Sequence, residues 1–211
     1  MQHIQVPYQQ AVSYLSTVAE VAQCLNNQHR HRLQAVPWPA FPYQPEVSFS
    51  IAHHIDCIFL KYYIKEKSIR AHYTVTNEPV YEDSCVEFFI SFDDSGYYNL
   101  EVNSLGTCLM GFGKDKIGRQ LLPAKIIEKI KSQTVINRNS DACIEWEITL
   151  LIPMEMFYHH TIASLTGKNC RANFYKCGDQ LPQPHFICWN PIEAPEPNFH
   201  LSQFFGTITF L

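Results

Sequence analysis

The chain has 211 residues, 16 Lys+Arg against 20 Asp+Glu, a formal net charge of -4 and 46% hydrophobic residues. Charged residues make up 17%, below the roughly 25% of an average soluble chain, and aromatic residues 13%, which excludes a disordered chain and allows one sizeable core. The mild acidity excludes a general nucleic-acid binder, and no apolar run is long enough to span a membrane.

The opening residues, MQHIQVPYQQAVSYLSTVAEVAQCL, lack the positive start, unbroken apolar run and cleavage site of a signal peptide, which predicts a soluble cytoplasmic protein. From Gln10 to Asn26, apolar Val12, Leu15, Val18, Ala19, Ala22 and Leu25 recur at helical spacing, so residues 1–34 read as a helical appendage and 35–211 as the main domain. Pro37, Pro39, Pro42 and Pro45, interleaved with Trp38, Phe41 and Tyr43, forbid helix and central strand and predict an extended segment pinned by aromatics. After Pro45 the hydrophobic period becomes two. Strands are expected over 47–51, 58–64, 69–75, 84–92, 97–103, 106–112, 143–152, 170–177, 185–190 and 205–210. Short helices are expected over 124–132 and after Pro153, which suits a first helical position.

About ten strands with little helix define an all-β chain, an antiparallel β-sandwich or jelly roll. The eight cysteines are scattered singly with no Cys-x-x-Cys pair, and read as buried free thiols of a reducing compartment. The pairs His53-His54, His159-His160 and His29/His31 lack zinc-site spacing and read as loop or surface residues. Lys114, Lys116, Arg119, Lys125, Lys129 and Lys131, interrupted by Asp115 and Glu128, read as a solvated loop and short helix.

Alternation assigns faces. Ser84, Val86, Phe88, Ile90 and Phe92 point to the core, as do Tyr98, Leu100 and Val102, and Ile144, Trp146, Ile148 and Leu150. Outward go Asp83, Cys85, Glu87 and Phe89; Tyr97, Asn99, Glu101 and Asn103; Glu145 and Glu147; and Arg171, Asn173 and Tyr175. If these strands are neighbours, one sheet face carries carboxylates, amides and a guanidinium at fixed spacing. Such groups bridge the vicinal hydroxyls of a sugar, whose C–H face packs on a flat ring. Tyr81 and Trp189 stand nearest the ends of these strands and are the candidate rings. The competing reading is that the polar residues merely face water and that the Pro191–Pro197 loop covers Trp189.

The run Val80-Tyr81-Glu82-Asp83-Ser84-Cys85-Val86-Glu87-Phe88-Phe89 resembles the aromatic-acid-Asp-Ser-x-Val-Glu-x-Phe run of family 9 carbohydrate-binding modules, of the DOMON-like sandwich superfamily. Tyr97-Tyr98-Asn99 through Gly106, Trp146-Glu147-Ile148 through Pro153, Arg171-Ala172-Asn173-Phe174, Trp189-Asn190-Pro191 and Phe199-His200 before Phe205-Gly206 follow in the family's order over about residues 35–211. The resemblance implies a β-sandwich that clamps a mono- or oligosaccharide, a glucan or xylan chain end, between two rings. Tyr81 and Trp189 would be the ring pair, Glu87 a hydroxyl acceptor, and Asn173, Arg171, Glu101 and Asn103 further contacts. Two departures stand out: Tyr81 replaces a usual Trp, and Glu101 lies where a basic donor is expected. No cofactor or metal is expected: the resemblance implies that family members carry a structural calcium, which Asp93-Asp94 could join, but a solvated turn is the favoured reading because no other oxygen ligands can be named, and a haem on Met110 and His200 is not adopted because Met110 lies on a core face.

Catalysis is not expected. Asp83 and Glu87 are about 13 Å apart along one strand, too far for a glycosidase pair, although Glu87 with Glu101 or Glu147 across strands leaves glycoside chemistry open. A sandwich that has lost sugar binding and serves as an interaction or structural protein is the other alternative.

Overall fold

The computed structural model describes residues 1–140 and 143–211. Its elements run β1 (His3–Val6), α1 (Val18–Asn26), β2 (His31–Leu33), β3 (Glu46–His54), β4 (Cys57–Glu66), β5 (Cys85–Asp93), β6 (Gly96–Asn103), β7 (Cys108–Gly113), β8 (Gln120–Leu121), α2 (Ala124–Ile127), β9 (Lys131–Ser140), β10 (Cys143–Pro153), β11 (Asn169–Cys177), β12 (Phe186–Cys188) and β13 (Gly206–Phe210). The larger sheet has the order β1-β13-β11-β5-β6-β7-β8, with β12 also paired to β11, and the smaller has β2-β3-β4-β10-β9. β1 runs parallel to β13, while the ladders that frame the site, β11–β5, β5–β6 and β6–β7, are antiparallel.

The inner faces are those set by alternation. Val86, Phe88 and Ile90 of β5, Tyr98, Leu100 and Val102 of β6, and Phe174 of β11 pack against Phe49 of β3, Leu60 and Tyr62 of β4, and Trp146, Ile148 and Leu150 of β10. Phe49 stacks on Phe174 across the two sheets at 3.8 Å between ring centres. One charged pair crosses the core: Lys176 Nζ lies 3.1 Å from Glu66 Oε2, both fully buried, and Trp146 Nε1 donates to Glu66 Oε1 at 2.7 Å. Burial and the neighbouring lysine push His185 down to about 3, so the ring is neutral and accepts from Lys176 Nζ at 2.8 Å.

Each outer face is also covered in part. On the smaller sheet, α1 sets Val21 and Leu25 against Ala52, Phe59 and Leu151. On the larger sheet, Trp38 from the proline segment and Ile192, Phe199 and Phe205 from the loop after β12 close over Cys85, Phe89, Tyr97, Tyr175 and Cys177. This second core explains why a chain with few charges needs so many aromatics: the larger sheet is buried on both sides over most of its area.

Four expectations are corrected. Residues 1–34 are no appendage, because β1 and β2 are edge strands of the two sheets and α1 covers one of them. The helix begins at Val18, not Gln10: Thr17 Oγ1 accepts from Glu20 N at 3.3 Å and Glu20 Oε2 accepts from Thr17 N at 2.8 Å, a capping box that fixes the start. Residues 69–75 form no strand, since carboxylates replace the ladder: the amides of His72 and Tyr73 donate to Asp83 at 2.9 and 3.0 Å, and those of Thr74 and Val75 to Glu78 at 3.0 and 2.9 Å. The helix expected over 124–132 stops at Ile127, and β9 follows as an edge strand whose Val135 and Ile136 are exposed.

Candidate functional site

A cleft of about 340 Å³ opens where the second core ends, over the outer face of β5, β6 and β11. Its floor is built by register. Glu87 and Glu101 face each other directly across β5 and β6, and Asn99 stands two residues from Glu101 on the same face. Tyr81, Asp179, Leu109, Arg119, Leu121, Phe186, Phe199 and His200 complete the lining. Tyr81 leaves the turn before β5 and is 39% exposed, so its ring is presented at the mouth.

Both floor glutamates are buried. Cys177 Sγ donates to Glu87 Oε1 at 3.1 Å and Asn99 Nδ2 to Glu101 Oε1 at 2.9 Å, while Glu101 Oε2 is buried with no partner. Burial first and the facing carboxylate second hold Glu87 well above the usual carboxylate range. Burial likewise pushes Glu101 up to about 7, against the lowering pull of Asn99 and Arg119. At neutral pH the pair therefore retains a proton and can both donate to and accept from a hydroxyl.

Arg119 is the residue that sequence reasoning missed. Read as part of a solvated basic loop, it instead folds back over β7: Nε donates to Asn99 Oδ1 at 2.9 Å, Nη2 to Tyr97 O at 2.8 Å, and the guanidinium lies 4.2 Å over the Tyr97 ring. The basic donor absent from position 101 thus arrives from the loop between β7 and β8. The signal available in the sequence was Gly111, where an added Cβ would come within 3.0 Å of Asn99 Oδ1 and 3.6 Å of Arg119 Nε. Phe186, Phe199 and Asp179 were also missed, since loops far apart in sequence bring them together.

Of the sequence-predicted contacts, Tyr81, Glu87 and Glu101 meet in this cleft. Trp189 does not stand at a rim. It is 2% exposed and packs edge-on against Phe174 and Phe49 in the central core, at 5.6 and 6.5 Å between ring centres. Asn173 is a buried lock: Oδ1 accepts from Asn190 N at 2.9 Å and Nδ2 donates to Asn190 O at 3.0 Å, fixing the chain after β12. Asn103 is another, donating to Tyr73 O and Asp83 Oδ2 and accepting from Leu105 N and Thr107 N. Arg171 is exposed, outside the cleft, and donates to Ser202 O. Glu145 and Glu147 lie on the smaller sheet, so they share no face with Glu87. Asp93 turns its carboxylate to Ser95 N at 2.8 Å and His160 Nε2 at 3.3 Å, hydrogen bonds that stabilise the charged form and pull its pKa down to about 2.

A larger groove of about 790 Å³ lies on the outer face of the smaller sheet. Several of its charges already have partners: Lys61 pairs with Glu147 at 2.6 Å, Lys65 with Glu145 at 3.7 Å, and Arg30 lies 3.7 Å over Tyr63. No buried acceptor stands open there, so the site is assigned to the smaller cleft.

A sandwich whose polar-floored cleft sits on one sheet, with ring edges at its mouth, has the layout of a carbohydrate-binding module. Residues 19–210 match the model of carbohydrate-binding family 9, and the chain belongs to that family. A candidate carbohydrate-binding protein from Bacteroides uniformis is 36% identical, with 100% of this chain and 99% of that chain covered and a TM-score of 0.91. Two structures of a family 9 module from Caldicellulosiruptor kristjanssonii share the fold at 12% identity. The cellotriose complex covers 99% of this chain and 93% of that one at a TM-score of 0.65, and the glucose complex 100% and 96% at 0.62. No curated protein matches the chain.

Proposed function

We propose that the cleft over β5 and β6 binds a monosaccharide or the end of an oligosaccharide and makes and breaks no bonds. The observation that carries this reading is the pair Glu87 and Glu101, two carboxyls facing each other across β5 and β6 that line an open cleft, with the buried Glu101 Oε2 left without a partner. Leaving such an acceptor unpaired costs about 1–3 kcal/mol, a debt that a ligand hydroxyl cancels on binding. Around it, Glu87 and Asn99 supply further hydrogen-bonding groups. Arg119 holds the Asn99 amide in orientation, and the Tyr81 ring offers a stacking face for C–H groups. Family membership supports the ligand class, and the related modules hold cellotriose and glucose.

Glu87 and Glu101 are side by side on one sheet, so they reach a bound sugar from the same side. Glycoside hydrolysis needs carboxyls that flank the scissile bond, which favours binding without catalysis. Titration calorimetry with glucose, cellobiose and xylobiose tests the proposal. Saturable binding by at least one sugar, weakened about tenfold or more by Arg119→Ala, is expected, since a truncated orienting group leaves the Asn99 amide free to turn. No heat from any of them at millimolar concentration, or binding indifferent to both Arg119→Ala and Glu101→Gln, would refute it.

A further inference from the structure

At the floor of the cleft two thiols stand beside the Glu87 carboxyl, a donor set that saccharide binding uses only through Glu87. Cys85 and Glu87 are two residues apart on β5 and point to the same face, and Cys177 of β11 stands directly opposite Cys85. One ligand atom from each, two sulfurs and a carboxylate oxygen, lie within 4.8 Å of one another, with Cys177 Sγ 3.1 Å from Glu87 Oε1. All three side chains are more than nine-tenths buried. Glu101, opposite Glu87, adds the unpartnered Oε2.

Charge points the same way. Among the described residues no cation makes an ion pair with this floor: Lys116 lines the cleft without a salt bridge to either glutamate, Lys176 is turned through the sheet to Glu66 and His185, and the Arg119 guanidinium is engaged by Asn99 and by backbone carbonyls of Tyr97 and Gly111. Two thiols and two carboxyls therefore share a poorly solvated floor with no cation in salt-bridge contact among the described residues.

We propose that Cys85, Cys177 and Glu87 form a binding site for one thiophilic divalent cation of the zinc type. The fourth coordination position opens toward the cleft beside Glu101. Metal–sulfur bonds of about 2.3 Å and metal–oxygen bonds of about 2.0–2.2 Å in a tetrahedron place donors about 3.5–3.8 Å apart, a spacing this cluster reaches with small side-chain adjustments. Soft sulfur donors select zinc, cadmium or cobalt over calcium and magnesium, which prefer oxygen shells. Cys177 and Glu87 line the cleft, so the ion has a path from solvent. On binding, two S–H bonds give way to two metal–sulfur bonds, and the thiol protons, with any proton held by Glu87, pass to the buffer without oxidation or reduction.

The site stands on geometry alone and is tested without any sugar. The full chain, reduced and stripped with a chelator, is titrated with Co²⁺ and with Cd²⁺. Thiolate-to-metal charge-transfer absorption is followed together with the mass of the intact folded protein and proton release to an indicator. One ion per chain with a thiolate band is expected. Cys85→Ser and Cys177→Ser should each weaken it at least about 100-fold and Glu87→Gln about tenfold, while the double variant Cys24→Ser/Cys143→Ser, which removes the two partly exposed thiols, should bind as the parent does. A parent chain that shows no thiolate band overturns the proposal, whatever the variants do. So does a band that survives in folded Cys85→Ser and Cys177→Ser, or one that vanishes with Cys24 and Cys143. Should the cysteine variants fail to fold, Glu87→Gln decides: unchanged affinity there also overturns it.

Discussion

Replacing Trp189 by alanine separates the two places this ring could occupy. At a cleft mouth it would contribute to ligand affinity and little to stability; in the core the reverse holds. The structure puts it in the core, edge-on to Phe174 and Phe49 and directly over Gly206, where an added Cβ would fall 2.4 Å from a ring atom. A Trp side chain buries about 200 Å² or slightly more, which at about 25 cal/mol/Å² gives an upper figure of about 5 kcal/mol. Truncations of buried aromatics to alanine cost about 3–5 kcal/mol, so the transfer and cavity arguments agree. The backbone bonds of residue 189, from its N to Phe174 O at 2.9 Å and to its O from Gln2 Nε2 at 2.6 Å, survive the substitution, and the loss is therefore one of packing. Urea unfolding of parent and variant gives the stability difference, and calorimetry with cellobiose, on samples folded at low temperature, gives the affinity. A loss of about 3–5 kcal/mol in stability with affinity within about threefold of the parent is expected. Unchanged stability with binding weakened tenfold would refute the placement of the ring and the cleft assignment with it.

Other expectations follow from the same contacts. Tyr81→Ala should weaken saccharide binding by about 3- to 10-fold, the value of one stacked ring, and leave unfolding unchanged within about 0.5 kcal/mol; a large stability loss in urea would count against it. Glu101 binds its proton more tightly in the fold than in the unfolded chain, so its contribution to stability is complete below pH 4.5 and is withdrawn as pH rises through about 7. Glu101→Gln cannot ionise, and with a chelator present its advantage over the parent should grow from near zero at acid pH to about 3 kcal/mol at about pH 8, at about 1.4 kcal/mol for each tenfold in proton affinity. A stability gap in denaturant that does not change with pH would contradict this. Lys176→Met leaves Glu66 buried without its cation and should cost about 3–5 kcal/mol by thermal or urea unfolding. Adding Glu66→Gln, which keeps an acceptor for Trp146 Nε1, should recover more than half, and no recovery would argue against that ion pair.

The period of two fixed which side of a strand meets the core, and the core rows of β5, β6 and β10 could be read directly because alternation is a local property of extended backbone. Two strands and a neighbouring turn likewise made Tyr81, Glu87 and Glu101 legible as candidates, since register along a hairpin is local too. Pairing between distant strands was not. Placement of β10 in the other sheet removed Glu145 and Glu147 from the face of Glu87, and nothing within β10 itself encodes its partner. The outward rows were visible as polar and aromatic, but whether they met water or protein depended on the proline segment and the loop after β12, which fold over the larger sheet from opposite ends of the chain. Those segments buried Phe89 and Tyr175, while the Asn173–Asn190 lock and the packing against Phe49 and Phe174 set Trp189 in the central core. They left an open cleft over the patch where two glutamates face each other. Local spacing determined which side chains could share a face; the tertiary structure alone decided which shared faces stayed open, because covering a sheet is a matter of long-range burial and not of any residue's own backbone preference.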